Sequence, residues 1–144
     1  MMKKYFAYGS NTNLKQMAFR CPTAKLVDIG ILKGYRMYFN GVATIEPAEG
    51  GAMGAIWDID EESERALDRY EGYPRLYRKE TVTVETERFG PIECMVYIMN
   101  GGIPEEPSER YYETIRRGYD DVGIPWAFLA RAMNYTHEKL NKIQ

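Results

Sequence analysis

Histidine occurs once in this chain, at His137, and a single imidazole excludes a histidine-rich metal site. The cysteines number two, Cys21 and Cys94. That is far from the density that staples small secreted domains, so both read as free thiols in a reducing cytoplasm. No apolar run approaches the ~18 residues of a membrane span. The stretch after Lys3 and Lys4 is too short for the hydrophobic segment of a secretion signal, which again leads to the expectation of a cytoplasmic protein. A dominant charge is also missing. Nineteen basic residues face 21 acidic ones, for a net charge of −2, and no basic run exceeds two residues. Nucleic acid is therefore not an expected partner, because binding its backbone takes a clearly basic surface. The mixed patch of Arg75, Arg78 and Lys79 reads as a solvated strand face. The adjacent carboxylates Glu61-Glu62 and Asp120-Asp121 lack an ordered ligand pattern, so no metal is expected, and no cofactor motif stands out.

What the sequence does contain is the composition of one ordinary globular domain, taken as residues 1–144, with 44% hydrophobic and 28% charged residues. Tyrosine is abundant, at 12 residues. It lines pockets well because its body is apolar and its tip polar. Lys4 to Tyr8 reads as a buried strand. Asn11 or Asn13 can cap a short helix carrying Leu14 and Met17, which stops before Pro22. Ala24–Leu32 and Tyr35–Phe39 read as two strands parted by Gly34, Ala43–Ile45 as a short one, and Gly51–Ile59 as another. Asp60, followed by Glu61 and Glu62, opens a helix with Ala66, Leu67 and Tyr70 on its apolar face; Gly72 and Pro74 end it. Arg78–Glu87 and Ile92–Met99, joined by Phe89-Gly90-Pro91, form the clearest hairpin, with Ile92, Cys94, Val96 and Ile98 sharing a face. Asn100–Pro107 is a loop. Ser108 caps a helix that turns Tyr111, Tyr112 and Ile115 inward, and a last helix starts near Pro125 as its first residue, carrying Trp126, Leu129, Ala130 and Met133. Strands in the middle and helices at the end give an α+β protein with a closed or strongly curved, mostly antiparallel sheet.

Two stretches carry chemistry. Tyr8-Gly9-Ser10-Asn11 ends a strand on small polar residues before a helix. Such a turn leaves backbone N–H groups without partners, and these converge on anions such as carboxylates. The same pattern also suits a plain strand-to-helix turn capped by asparagine. In Leu67-Asp68-Arg69-Tyr70-Glu71-Gly72, Glu71 sits at a helix end whose dipole opposes a negative charge. With Tyr70, Tyr73 and Tyr77 close in sequence, burial would raise its pKa and suit it to proton transfer near neutrality. A surface glutamate before a helix-ending glycine is the alternative. Ser10 lacks the Gly-x-Ser-x-Gly elbow of a serine hydrolase, and His137 lies beside Glu138 and Lys139 as a surface residue. Cys94 falls on an apolar strand face. Cys21 ends a helix, where the dipole disfavours a thiolate.

These pieces resemble the gamma-glutamylcyclotransferase family. The matching residues are YFAYGSN at Tyr5–Asn11, VATI at Val42–Ile45, GAIW at Gly54–Trp57, LDRYEG at Leu67–Gly72 and Tyr77. CMVYIM at Cys94–Met99, PSERYYETIRRG at Pro107–Gly118 and GIP at Gly123–Pro125 complete the set. They fall in order and with similar spacing over roughly residues 4–130. YGSN followed about sixty residues later by LDxxEG is the specific part. The resemblance implies a small mixed, mostly antiparallel β-barrel flanked by helices, with a polar cavity at one end. It implies an enzyme that converts a gamma-glutamyl amide to 5-oxoproline and a free amine without metal or cofactor. It places the catalytic acid/base at Glu71, the substrate-binding loop at Tyr8, Gly9, Ser10 and Asn11, and further cavity residues at Tyr77 and Tyr111. YGSN leans towards gamma-glutamyl amino acids as substrates. A catalytically silent member that binds a small molecule or a partner through the same cavity is the other class, and association into a homodimer is left open.

Overall fold

The structure, a computed structural model, describes residues 2–143. Five strands, β1 (Lys3–Ala7), β2 (Lys25–Asn40), β3 (Val42–Ile59), β4 (Tyr77–Thr86) and β5 (Gly90–Met99), close into a barrel in the order β1-β3-β2-β4-β5. All pairings are antiparallel except the closing one, where Tyr5 of β1 meets Met95 of β5 in parallel. The expected mixed, mostly antiparallel barrel is therefore present, with α1 (Leu14–Arg20), α2 (Glu61–Glu71), α3 (Glu109–Val122) and α4 (Ala127–Lys142) around it. None of these helices is long and apolar enough to cross a membrane.

Side chains alternate between two apolar clusters, as the two-residue period of a strand requires. Phe6, Ile56, Cys94, Val96 and Ile98 pack in one cluster with Ile115, Tyr119, Leu129 and Ala132 of α3 and α4. Tyr5, Ala55, Trp57, Met95 and Tyr97 pack in the other with Met17 of α1 and Leu67 of α2. From Cys94 to Met99 both faces are covered, and that part of β5 reads in sequence as one unbroken apolar run. The hairpin is in the expected place, paired from Tyr77–Met99 to Thr86–Gly90.

The interruptions expected in the central strands are absent. β2 runs through Gly34 and β3 through Pro47 and Gly50, so two strands stand where four short ones were expected. Lys33 pairs with Gly51 and Tyr35 with Pro47, so Ala48, Glu49 and Gly50 stand opposite the single Gly34. Gly34 and Gly50 both take positive φ, +81° and +112°. The two strands bend together at this bulge instead of ending.

Helix ends follow the capping residues. Asp60 accepts from the Ser63 amide at 2.8 Å, Ser108 from the Tyr111 amide at 3.2 Å, and Asn13, not Asn11, from the Gln16 amide at 3.0 Å. Gly72 closes α2 in the left-handed region, φ +67°. Pro125 stands before the Trp126 cap of α4 and not at its first turn, and Trp126 and Ala130 face outward while Leu129 and Ala132 are buried.

Candidate functional site

The strand β1 ends at Ala7, and the chain then turns through a short 3-10 segment, Ser10–Thr12. Four consecutive carbonyls in this turn are tied to the protein. Tyr8 O accepts from the Tyr119 hydroxyl at 2.9 Å. Gly9 O accepts from Thr12 N at 3.1 Å and Thr12 Oγ1 at 2.7 Å. Ser10 O accepts from Asn13 N at 3.1 Å, and Asn11 O from the Trp57 indole at 3.0 Å. The amides of Gly9, Ser10 and Asn11 donate to no protein acceptor among the described residues. Turning every carbonyl away frees a cluster of donors, the arrangement that binds anions.

This loop forms one wall of a cavity of about 240 Å³. All seven residues singled out in the sequence, Tyr8, Gly9, Ser10, Asn11, Glu71, Tyr77 and Tyr111, line it. Tyr77 and Tyr111 grip one backbone unit from two sides. Tyr77 donates its hydroxyl to Ala43 O at 2.6 Å, and the Ala43 amide donates to the Tyr111 oxygen at 3.0 Å. Their rings thereby hold the Val42-Ala43 wall in place. Gly9 allows close approach here, since a Cβ on it would lie 3.2 Å from Ala43 Cβ.

Glu71 is the last residue of α2, at the negative end of the helix dipole. Among the described residues no hydrogen bond or ion pair reaches its carboxylate. Burial pushes its pKa from 4.5 up to about 7, partly opposed by the positive charge of Arg20. The phenols of Tyr5, Tyr8, Tyr77, Tyr97 and Tyr111 are also pushed up by burial, so they move away from neutrality while Glu71 moves to it. Of the two open readings of Glu71, the exposed surface residue does not apply.

The sequence left several contributors unread. Tyr5 and Tyr97 complete the aromatic wall. Tyr97 donates to Asp68 at 2.6 Å, and Asp68 in turn pairs with Lys79 at 2.9 Å. Lys79 also pairs with Glu64 at 2.6 Å, so it is not the solvated residue expected. Tyr70, expected on the buried face of α2, is 44% exposed at the cavity rim and shares a 3.0 Å hydrogen bond with Ser10 Oγ. Gly118 lies beneath the loop: a Cβ on it would be 2.2 Å from Thr12 Oγ1 and 2.6 Å from Asn13 N. A glycine inside an otherwise regular helical pattern was the available signal. The remaining candidates lie elsewhere. His137 is exposed against Glu106 at 2.7 Å. Cys21 and Cys94 are free and buried, with both thiols pushed up by desolvation, Cys94 to about 11.

Residues 5–119 match the sequence pattern of the family described as "Gamma-glutamyl cyclotransferase, AIG2-like". The chain is 28% identical to a gamma-glutamylcyclotransferase of Bos taurus over 97% of its own length and 78% of the relative's. It is 28% identical to that of Homo sapiens, over 84% and 72%. A solved structure described as a gamma-glutamyl cyclotransferase superposes with a TM-score of 0.84 at 25% identity, covering 92% of this chain and 86% of that one. The pattern spans well over half of the sequence and takes in both the opening loop and Glu71: this chain belongs to the gamma-glutamyl cyclotransferase, AIG2-like family.

Proposed function

We propose that this protein converts a gamma-glutamyl amide, of an amino acid or of an amine, to 5-oxoproline and the free amine, with Glu71 as the acid/base. The observation that carries the reading is a largely desolvated carboxylate, without a partner among the described residues and with a pKa near 7, across a small cavity from a loop of free amides. A volume of about 240 Å³ is below the ~300–1,000 Å³ common for drug-sized ligands and suits a small metabolite whose leaving group extends through the mouth.

The chemistry is internal to the substrate. Its α-amine attacks its own γ-carbonyl carbon, a five-membered ring closes, and the amide bond to the leaving amine breaks. Tethered reactants need no covalent enzyme intermediate. The α-amine is protonated near neutral pH, so a base must remove a proton before attack, and the leaving nitrogen must receive one. The attacking nitrogen passes from ammonium to lactam N–H and so gives up two protons. Glu71 takes one before attack and hands it to the leaving nitrogen as the C–N bond breaks. The second, shed by the same nitrogen as the ring amide forms, also ends on the departing amine, which is an ammonium near neutral pH. The amides of Gly9, Ser10 and Asn11 hold the glutamyl α-carboxylate, orienting the amine towards the γ-carbonyl. Tyr8, Tyr77 and Tyr111 enclose the glutamyl chain.

The test is release of 5-oxoproline from a panel of gamma-glutamyl amides, comparing the wild type with Glu71→Gln. Turnover by the wild type and a fall of at least ~10²-fold in the variant are expected. Binding without release across the panel would remove the cyclotransferase reading and leave a small-molecule-binding protein; near wild-type turnover by a folded Glu71→Gln protein would remove Glu71 from the mechanism.

A further inference from the structure

Arg20 does not line the cavity, yet it touches the site on two sides. It is the last residue of α1 and is partly buried. One guanidinium nitrogen, Nη1, donates to Asn11 Oδ1, and the other, Nη2, to Gln16 Oε1 at 3.1 Å. The guanidinium carbon lies 3.4 Å from the centre of the Tyr70 ring, a stacked cation–π contact. Asn11 passes the order on by donating to the Tyr5 hydroxyl at 3.0 Å. Tyr70 reaches back to Ser10 Oγ at 3.0 Å. Ser10 and Asn11 are neighbours in the loop, so the contacts close a ring: Ser10, Tyr70, Arg20, Asn11. That ring joins the loop of free amides to the residue immediately before Glu71.

Among the described residues, Arg20 is the one cation that acts on Glu71. The titratable groups facing Glu71 from the other elements are phenols: Tyr5 of β1, Tyr8 of the loop that follows it, Tyr77 of β4, Tyr97 of β5 and Tyr111 of α3. On its own helix Asp68 is held by Lys79 and Tyr97, and Lys79 is shared between Asp68 and Glu64.

Building on the cyclotransferase reading, we propose that Arg20 is a positioning residue. It locks the opening loop against the end of α2, and its charge keeps Glu71 ionised, and so able to act as a base, near neutral pH. Arginine suits both tasks, because its planar fork stacks and donates at once and stays charged at all working pH values.

The sign of the effect follows from charge. Removing a positive neighbour disfavours the carboxylate, so the Glu71 titration midpoint moves up. A rise of about one pH unit from about 7 takes the ionised fraction at pH 7 from about a half to about a tenth. Turnover at pH 7 then falls about five-fold and recovers by pH 9. A residue acting only as structural packing would lower stability without moving the midpoint.

Two measurements separate this inference from the activity it builds on. The first is a carboxyl ¹³C NMR titration of glutamate-labelled protein, with the Glu71 signal assigned by its loss in Glu71→Gln. The second is the kcat pH profile. In Arg20→Gln, or Arg20→Met if the glutamine variant is unstable, the midpoint should rise by about one unit and the kcat profile should shift with it. In Arg20→Lys the midpoint should stay within a few tenths of the wild type while KM rises, because the charge is kept and the fork is lost. An unmoved midpoint in a folded Arg20→Gln or Arg20→Met protein overturns the proposal. If no protein releases 5-oxoproline, the cyclotransferase reading fails, and the NMR titration still decides whether Arg20 governs Glu71.

Discussion

Replacing Glu71 by glutamine should stabilise the protein at pH 8 while it abolishes most turnover. In the folded state burial raises the Glu71 pKa from 4.5 to about 7. The unfolded chain returns it to the ordinary value. Between these two values the folded protein still holds a proton that the unfolded chain has released, so stability falls as pH rises through that window. Below about pH 4 there is no penalty, and above about pH 7 it is complete. At 1.36 kcal/mol per unit, the displacement corresponds to about 3 kcal/mol; the carboxylate's residual exposure brings this to about 2–3 kcal/mol. Glutamine has the same shape and never ionises, so Glu71→Gln escapes the penalty. Urea unfolding at pH 4, 6 and 8 is the assay. With m of about 1–3 kcal/mol/M, the midpoint of the variant should exceed the wild type's by about 1 M or more at pH 8 and coincide with it at pH 4. A difference that does not change with pH, or a variant less stable at pH 8, would refute the account of Glu71 as a carboxylate forced into an apolar site. The pairing of higher stability with lower activity is the mark of a residue kept for chemistry.

Gly118→Ala should destabilise the fold by about 3 kcal/mol or more, because the new methyl would sit 2.6 Å from the Asn13 amide as well as against Thr12; in an exposed helix the same change would help by up to ~1 kcal/mol, so the sign in a denaturation experiment is decisive. If the loop holds the glutamyl head as proposed, Gly9→Val should lower kcat/KM to a similar extent for substrates that differ only in the leaving amine; selective loss for some amines would reassign the loop. The double variant Cys21→Ser, Cys94→Ala should retain most activity if folded, because burial raises both thiols and neither is held as a thiolate; complete inactivation of the folded protein would point to thiol chemistry.

What the sequence by itself determined is mostly local. Asp60, Ser108 and Asn13 announce helix starts because a side-chain oxygen satisfies an orphan amide within three residues. Gly72 announces a helix end because it takes the left-handed conformation cheaply. The Tyr77–Met99 hairpin is legible from alternation and a tight turn. The opening loop and Glu71 could be picked out as candidates, but each kept an ordinary structural alternative, because burial is not a local property. Tertiary structure decided their surroundings. Glu71 is desolvated by side chains from β1, β4, β5 and α3, brought together only when the barrel closes. The loop amides are free because the carbonyls beside them are held by Tyr119, Thr12, Asn13 and Trp57, two of them far along the chain. Gly34 and the gap between Ile45 and Gly51 read as two strand breaks and became one shared bend, since a kink in either strand is matched only by its partner. Arg20 carried no signal of function in sequence, because its weight comes from a tyrosine fifty residues away and from a carboxylate it does not touch. Capping and turn preferences act over a few residues and can be read in order; desolvation and Coulomb interactions act through space, and only the folded chain sets those distances.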